Sequence, residues 1–181
     1  MPVAWEPMFH ELHASRRGRL LAFATTLAGP SAAEDLVQDA VVATFSRHRG
    51  FTSVEQAEHY VRRAIASRYV DSIRKSISVR TSERGASLAE AVPDGTDVVA
   101  NHDVVTHALA TLPPRVRACV ALRYLEDLSI RETAVTLGLS EGAVKRYVSD
   151  GIAQLNAALG TSGSLTDDER VALAHTKGSS R

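Results

Sequence analysis

A single cysteine, Cys119, rules out any disulfide within the chain and with it the stapled scaffolds of small secreted proteins. Aromatic residues supply only 5% of the 181 positions. No uncharged run is an apolar stretch of the roughly 18 residues of a membrane span. The longest, Gly151 to Thr166, is interrupted by Gln154, Asn156 and Gly160. A basic start followed by an apolar run and a small-residue cleavage site is also missing, so the expected location is the cytoplasm, with no membrane insertion. His10, His13, His48, His59, His102, His107 and His175 never pair with Cys119 at ligand spacing, so no metal is expected. Nucleophile elbows, phosphate-binding glycine loops and metalloprotease motifs do not occur, so neither a cofactor nor a catalytic residue is expected. Cys119 sits among Val116, Val120 and Leu122, where a small buried thiol is the ordinary outcome.

What is present is a 44% hydrophobic content, enough for one medium or two small domains. The net charge is zero, from 21 basic and 21 acidic groups. Residues 1–75 carry 10 basic and 8 acidic groups, 76–106 carry 2 and 5, and 107–160 carry 6 and 5. An acidic middle therefore separates two slightly basic ends. Unaided duplex binding draws on a larger basic excess, because affinity from phosphate neutralisation scales with the number of cations.

Glycine, proline and serine punctuation divides the chain into helical blocks. Phe9, Leu12, Leu20, Leu21, Ala24 and Leu27 recur at helical spacing from Met8 to Ala28, and Gly29-Pro30 ends the run. Ser31 with Glu34 has the form of a capping box for a second helix to about Arg47. A third pattern spans Glu55 to Lys75, with Val61, Ile65, Tyr69 and Ile73 on one face. Residues 76–101 lose the period and read as a flexible, acidic linker. The second block, 102–160, holds the helix-restarting pair Pro113-Pro114 and further helices to Leu159. The tail, 161–181, is polar, with one short helical candidate at Thr166 to Ala174 and no evident role. With no β-alternating run, the expected fold class is all-α: two small helical domains joined by a flexible linker.

The second block carries the spacing of a helix-turn-helix. Ala134 is small where two helices must cross, Gly138 suits a left-handed turn, and Val144 returns to the shared core. Ser140 should cap the second helix, along which Val144, Val148, Ile152, Leu155 and Leu159 form an apolar stripe. Gly142, Arg146, Ser149 and Asp150 fall opposite, with Lys145 at the edge. One face can bury while short polar and basic groups meet base edges, the division a recognition helix requires. An ordinary helical hairpin with a solvated face is the alternative.

In the first block, Asp35, Gln38 and Asp39 share one face of their helix, opposite Leu36, Ala40 and Val41. On the third helix Tyr60, Arg63, Ser67 and Arg74 form a polar stripe flanked by Arg62, Arg68 and Lys75. Cations interleaved with an aromatic suit a single strand, whose phosphates need charge and whose bases need stacking surfaces.

Three stretches carry a family resemblance. AEDLVQDAVVATF, Ala33 to Phe45, resembles conserved region 2 of bacterial sigma factors of the extracytoplasmic-function group, in the sigma-70 family. YVRRAIASRYVDSIRK, Tyr60 to Lys75, resembles the DNA-melting helix that follows it. LPPRVRACVALRYLEDLSIRETAVTLGLSEGAVKRYVSDGIAQL, Leu112 to Leu155, looks like region 4. The resemblance makes residues 1–75 the domain that melts and reads the −10 element, and 102–160 the domain that reads the −35 element. It assigns Asp35, Gln38 and Asp39 to core RNA polymerase. It gives the loop from His48 to Glu58, with Arg49 and Phe51, to a pocket for an extruded base. The DNA-binding set it implies is Arg49, Phe51, Tyr60, Arg62, Arg63, Ser67, Arg74, Lys75, Arg123, Ser140, Gly142, Lys145, Arg146, Ser149 and Asp150. Its partners would be core polymerase and promoter DNA, with an anti-sigma factor as a third candidate, and RNA synthesis would be catalysed by the polymerase. The acidic linker would imitate nucleic acid inside the polymerase channel.

Ser67, Tyr147 and Asp150 depart from residues common in the family, Asn at the first and Arg at the other two, so no promoter sequence carries over. From the residues alone, the acidic face could be solvated surface, and Phe51 and Tyr60 could be core packing. A stand-alone helix-turn-helix regulator with an N-terminal ligand or dimerisation domain stays open as an alternative, as does an adaptor that binds only proteins.

Overall fold

The computed structural model describes residues 5–48, 50–83 and 103–160, with backbone alone at 79–83 and 103. Among them every regular element is a helix: α1 (Glu6–Ala28), α2 (Pro30–Arg47), α3 (Val54–Glu83), α4 (Asp103–Ala110), α5 (Pro114–Tyr124), α6 (Ile130–Leu137) and α7 (Glu141–Leu159). None of these helices is long and apolar enough to cross a membrane.

Gly29 separates α1 from α2 at φ 79° and ψ 166°, a region essentially reserved for glycine. Pro30 follows with its φ already set for a first helical residue. This corrects the cap expected at Ser31. The cap position falls two residues earlier, at Gly29, so Ser31 lies inside the helix and Glu34 pairs with Arg17 instead. The S-x-x-E/Q pattern does act elsewhere. Before α3, Ser53 Oγ accepts from Gln56 N (3.2 Å) and Gln56 Oε1 accepts from Thr52 N (2.8 Å). At α6, Ser129 Oγ accepts from Glu132 N (3.1 Å) and the Glu132 carboxylate accepts from Ser129 N (2.9 Å).

Helix α3 also runs past its expected end at Lys75, so residues 76–83 are helical and not linker. Ser76 is retained by donating its hydroxyl to the Ile73 carbonyl (2.8 Å), a bond that satisfies a helical serine without breaking the ladder. The remainder of the expected linker, the tail from 161 and Arg49 lie outside the described residues.

Helices α1 to α3 pack as a bundle around Leu12, Leu20, Phe23, Leu27, Val37, Phe45, Val61, Ile65 and Val70. In the second domain α5 is the central element, nearly all of it buried, with Cys119 fully enclosed and its thiol pushed up to about 12 by burial. It is therefore an inert core residue at neutral pH. The expected turn is present: Gly138 is left-handed (φ 60°), Ala134 and Val144 are buried, and Ser140 Oγ accepts from Ala143 N (3.2 Å). The apolar stripe of α7 fades toward its end, leaving Leu159 41% exposed. Gly151 brings α7 onto α5, since a Cβ there would lie 2.5 Å from Val120 Cγ2 and 2.9 Å from Val116 Cγ1. Any side chain at 151 would wedge α7 off its support.

The two domains are not held apart. Ala118, Leu122, Leu128, Leu137 and Val144 join the same continuous core as α1 to α3. Arg117, 5% exposed, donates to Leu27 O at the end of α1 (2.5 Å) and to Ala110 O and Leu112 O (2.6 and 3.0 Å), while burial pulls its guanidinium below the ordinary arginine value.

Candidate nucleic-acid interface

On α7, Gly142, Lys145, Arg146, Ser149 and Asp150 are all exposed, on the face away from Val144 and Gly151. Arg146 lies over the half-buried Tyr147 ring, 5.3 Å from its centroid. The contact is made by the guanidinium itself, on an arginine that is otherwise exposed. Tyr147 also packs on the core between α5 and α7, which accounts for an aromatic there. Ser140 is exposed, with its oxygen committed to the cap. Arg123 departs from the expected set. It is 7% exposed, and its guanidinium donates to the Leu128 carbonyl, where it braces the turn between α5 and α6. Its place on the last turn of a buried helix turns it inward.

In the first domain Asp35, Gln38 and Asp39 are exposed side by side on α2. Among the described residues, Asp39 alone of the three reaches a cation, Arg68 at 4.0 Å. Val42, 66% exposed, continues this row one turn further on. The sequence reading missed it, although a valine outside the apolar period of its helix was the available signal.

Phe51 and Tyr60 are half-buried members of an aromatic cluster that grades from the core outward. Phe51 stands edge-on to buried Phe45 (5.1 Å) and Tyr60 edge-on to His48 (4.6 Å), with Phe51 and Tyr60 5.8 Å apart. Packing and an accessible stacking edge thus coexist in the same rings.

The basic stripe of α3 is in place but partly occupied. Lys75 is exposed and Ser67 half-buried. Arg62 reaches Glu126, which also lies 3.3 Å from His59 Nδ1, and holds Glu58 at 3.0 Å. Arg63 lies 3.2 Å from Glu132, and Arg74 donates to the Leu137 carbonyl (2.8 Å). Glu132 is held below the usual carboxylate range by the Ser129 backbone N–H first, then by the Ser129 hydroxyl and Arg63. These partners from the second domain were not foreseen, because sequence spacing carries no information about contacts across more than 60 positions.

Comparison with known proteins decides the family. The model for sigma-70 region 4 matches residues 102–155, which is α4 through most of α7. The RNA polymerase sigma-E factor of Streptomyces avermitilis is 34% identical over 155 residues, covering 83% of this chain and 84% of that protein. The chain belongs to the sigma-70 family of RNA polymerase sigma factors. Its place is in the extracytoplasmic-function group. The ECF RNA polymerase sigma factor SigE of Mycolicibacterium smegmatis is 29% identical over 164 residues, 82% of this chain and 60% of that one. In fold, the sigma factor resembles RpoE of Bartonella quintana, solved in complex with the anti-sigma factor NepR. The TM-score is 0.56 at 21% identity, covering 87% of this chain and 97% of that chain. Family membership favours a sigma factor over a stand-alone regulator.

Proposed function

We propose that this sigma factor binds core RNA polymerase through Asp35, Gln38 and Asp39 and directs initiation at promoters it reads with both domains. The first domain opens the −10 element, with Phe51 and Tyr60 stacking on displaced bases and Arg62, Arg63, Ser67, Arg74 and Lys75 following the strand. Arg49 belongs to the same proposed set. The second domain lays α7 in the −35 major groove with Ser140, Gly142, Lys145, Arg146, Ser149 and Asp150 toward the DNA. RNA synthesis is the polymerase's chemistry, the site of action is the cytoplasm, and an anti-sigma factor is a further partner by analogy with the Bartonella complex. The exposed polar face of α7, backed by Val144 and Gly151, carries this reading.

The charge on each DNA-facing block is small: 10 basic against 8 acidic groups in residues 1–75, and 6 against 5 in 107–160. Few net phosphate contacts follow, so the free protein is expected to bind promoter duplex weakly and to gain specificity with core enzyme. Gel-shift titration of a promoter fragment with and without core polymerase checks this. A tight, sequence-specific complex formed by the protein alone would count against it.

A further inference from the structure

The closed packing of the two domains sets the promoter-facing cations of α3 against acids of the second domain. Glu126, with its side chain only 4% exposed, meets both Arg62 and His59. Glu132 meets Arg63, while backbone carbonyls at the α6–α7 turn take Arg74. Carboxylate and carbonyl oxygens thus stand where phosphate oxygens of a DNA strand would stand in the proposed function, on which this inference rests. From these contacts we propose that Glu126 and Glu132 act as an intramolecular gate: they compete with DNA for Arg62 and Arg63, beside the carbonyls that hold Arg74, and keep the free protein from binding single strands until the domains part.

Geometry requires such a parting. Elements named −10 and −35 lie about 25 base pairs apart, roughly 85 Å of duplex at 3.4 Å per pair. A compact chain of this length has a radius of gyration of about 16 Å, so the closed form cannot touch both elements. Opening therefore precedes or accompanies promoter engagement, and it takes the second-domain partners from the arginines that the −10 strand needs, leaving Arg62 with Glu58 (3.0 Å) and Arg74 with Asp71 (3.1 Å) on their own helix. Among the described residues, the second-domain groups that the α3 arginines reach are the charged Glu126 and Glu132 and the carbonyls of Leu137 and Gly138. Two carboxylates are therefore enough to set the electrostatic part of the gate.

The test uses the full chain without polymerase and a fluorescein-labelled single-stranded oligonucleotide of about 20 nucleotides, read by anisotropy at low salt. Glu126→Gln with Glu132→Gln removes both charges and keeps one oxygen acceptor on each side chain, and Gln serves at the third helical position of a capping box as Glu does. Glu6→Gln with Glu11→Gln on α1 makes the same change in net charge without touching the α3 arginines. The gate variant is expected to bind the strand about tenfold more tightly than the unaltered protein, with a steeper dependence on salt, and the α1 variant within about twofold. With core enzyme, the gate variant should initiate as the unaltered protein does.

An affinity no higher than that of the α1 variant would overturn the gate. Normal transcription in the same samples would then leave the sigma-factor reading standing. If the double variant fails to fold, Glu132→Gln alone, on an exposed cap, should still give a smaller increase. No increase there would also overturn the proposal.

Discussion

Reversing the acidic face of α2 with Asp35→Lys and Asp39→Lys is expected to weaken capture of the protein by core RNA polymerase by about a hundredfold or more. Both side chains are exposed and point away from Ala33, Val37 and Ala40, so no core contact is lost. The single ion pair affected, Asp39 with Arg68 at 4.0 Å, is long and exposed, and such pairs contribute little to stability. Thermal unfolding should therefore be nearly unchanged, as surface substitutions of this kind usually stay within about 0.5 kcal/mol. A basic partner surface, by contrast, would now meet like charge, which costs several kcal/mol. Pull-down with core enzyme alongside a melting curve separates the two effects. Undiminished capture of the folded variant would show that the face is only solvated.

The second large effect belongs to α7. Arg146→Ala should cost about 1–3 kcal/mol of −35 binding by the assembled enzyme and relax discrimination at one base pair. Asp150→Arg should change the preferred base, not merely the strength of binding. Aspartate can only accept, typically from a cytosine amine, whereas arginine donates two hydrogen bonds to guanine. Both residues are exposed within the first three turns of α7, where a recognition helix meets the groove. Selection from randomised −35 elements with each variant provides the readout. An unchanged motif with evenly stronger binding for Asp150→Arg would place that residue against the phosphate backbone.

The helices were legible where periodicity and punctuation agreed. The end of α1 at Gly29, the restart at Pro114, the left-handed Gly138 and the Ser140 cap each follow from a residue whose backbone preference admits few alternatives. Ser31–Glu34 shows where that logic fails. A capping box needs its serine at the chain's entry to the helix, and Gly29-Pro30 had already taken that place. Ser53–Gln56 and Ser129–Glu132 have the same pattern without a preceding glycine–proline turn, and there it works. The continuation of α3 was obscured by Ser76 and Ser78, although Ile77 keeps step with Ile73.

The exposed faces of α2 and α7 that make up the proposed site were legible, since a helical wheel reveals them directly. The proposed site was not legible where the domains meet. Arg123 looked like one more cation near the motif, yet its position on a buried helix turned it to the Leu128 carbonyl. Arg62, Arg63 and Arg74 were recognised as a basic stripe, but their pairing with Glu126, Glu132 and Leu137 depends on tertiary packing. Gly151 gave no signal either, because a glycine inside a helix reads as a weakness until the crossing helix is known.

Run-off transcription with purified core RNA polymerase and fragmented genomic templates tests the central claim most directly. Addition of this chain should produce discrete transcripts whose upstream regions share two sequence elements at constant spacing, absent from reactions with core enzyme alone. Transcripts no different from those of core enzyme alone, obtained with folded protein that binds the polymerase, would contradict it.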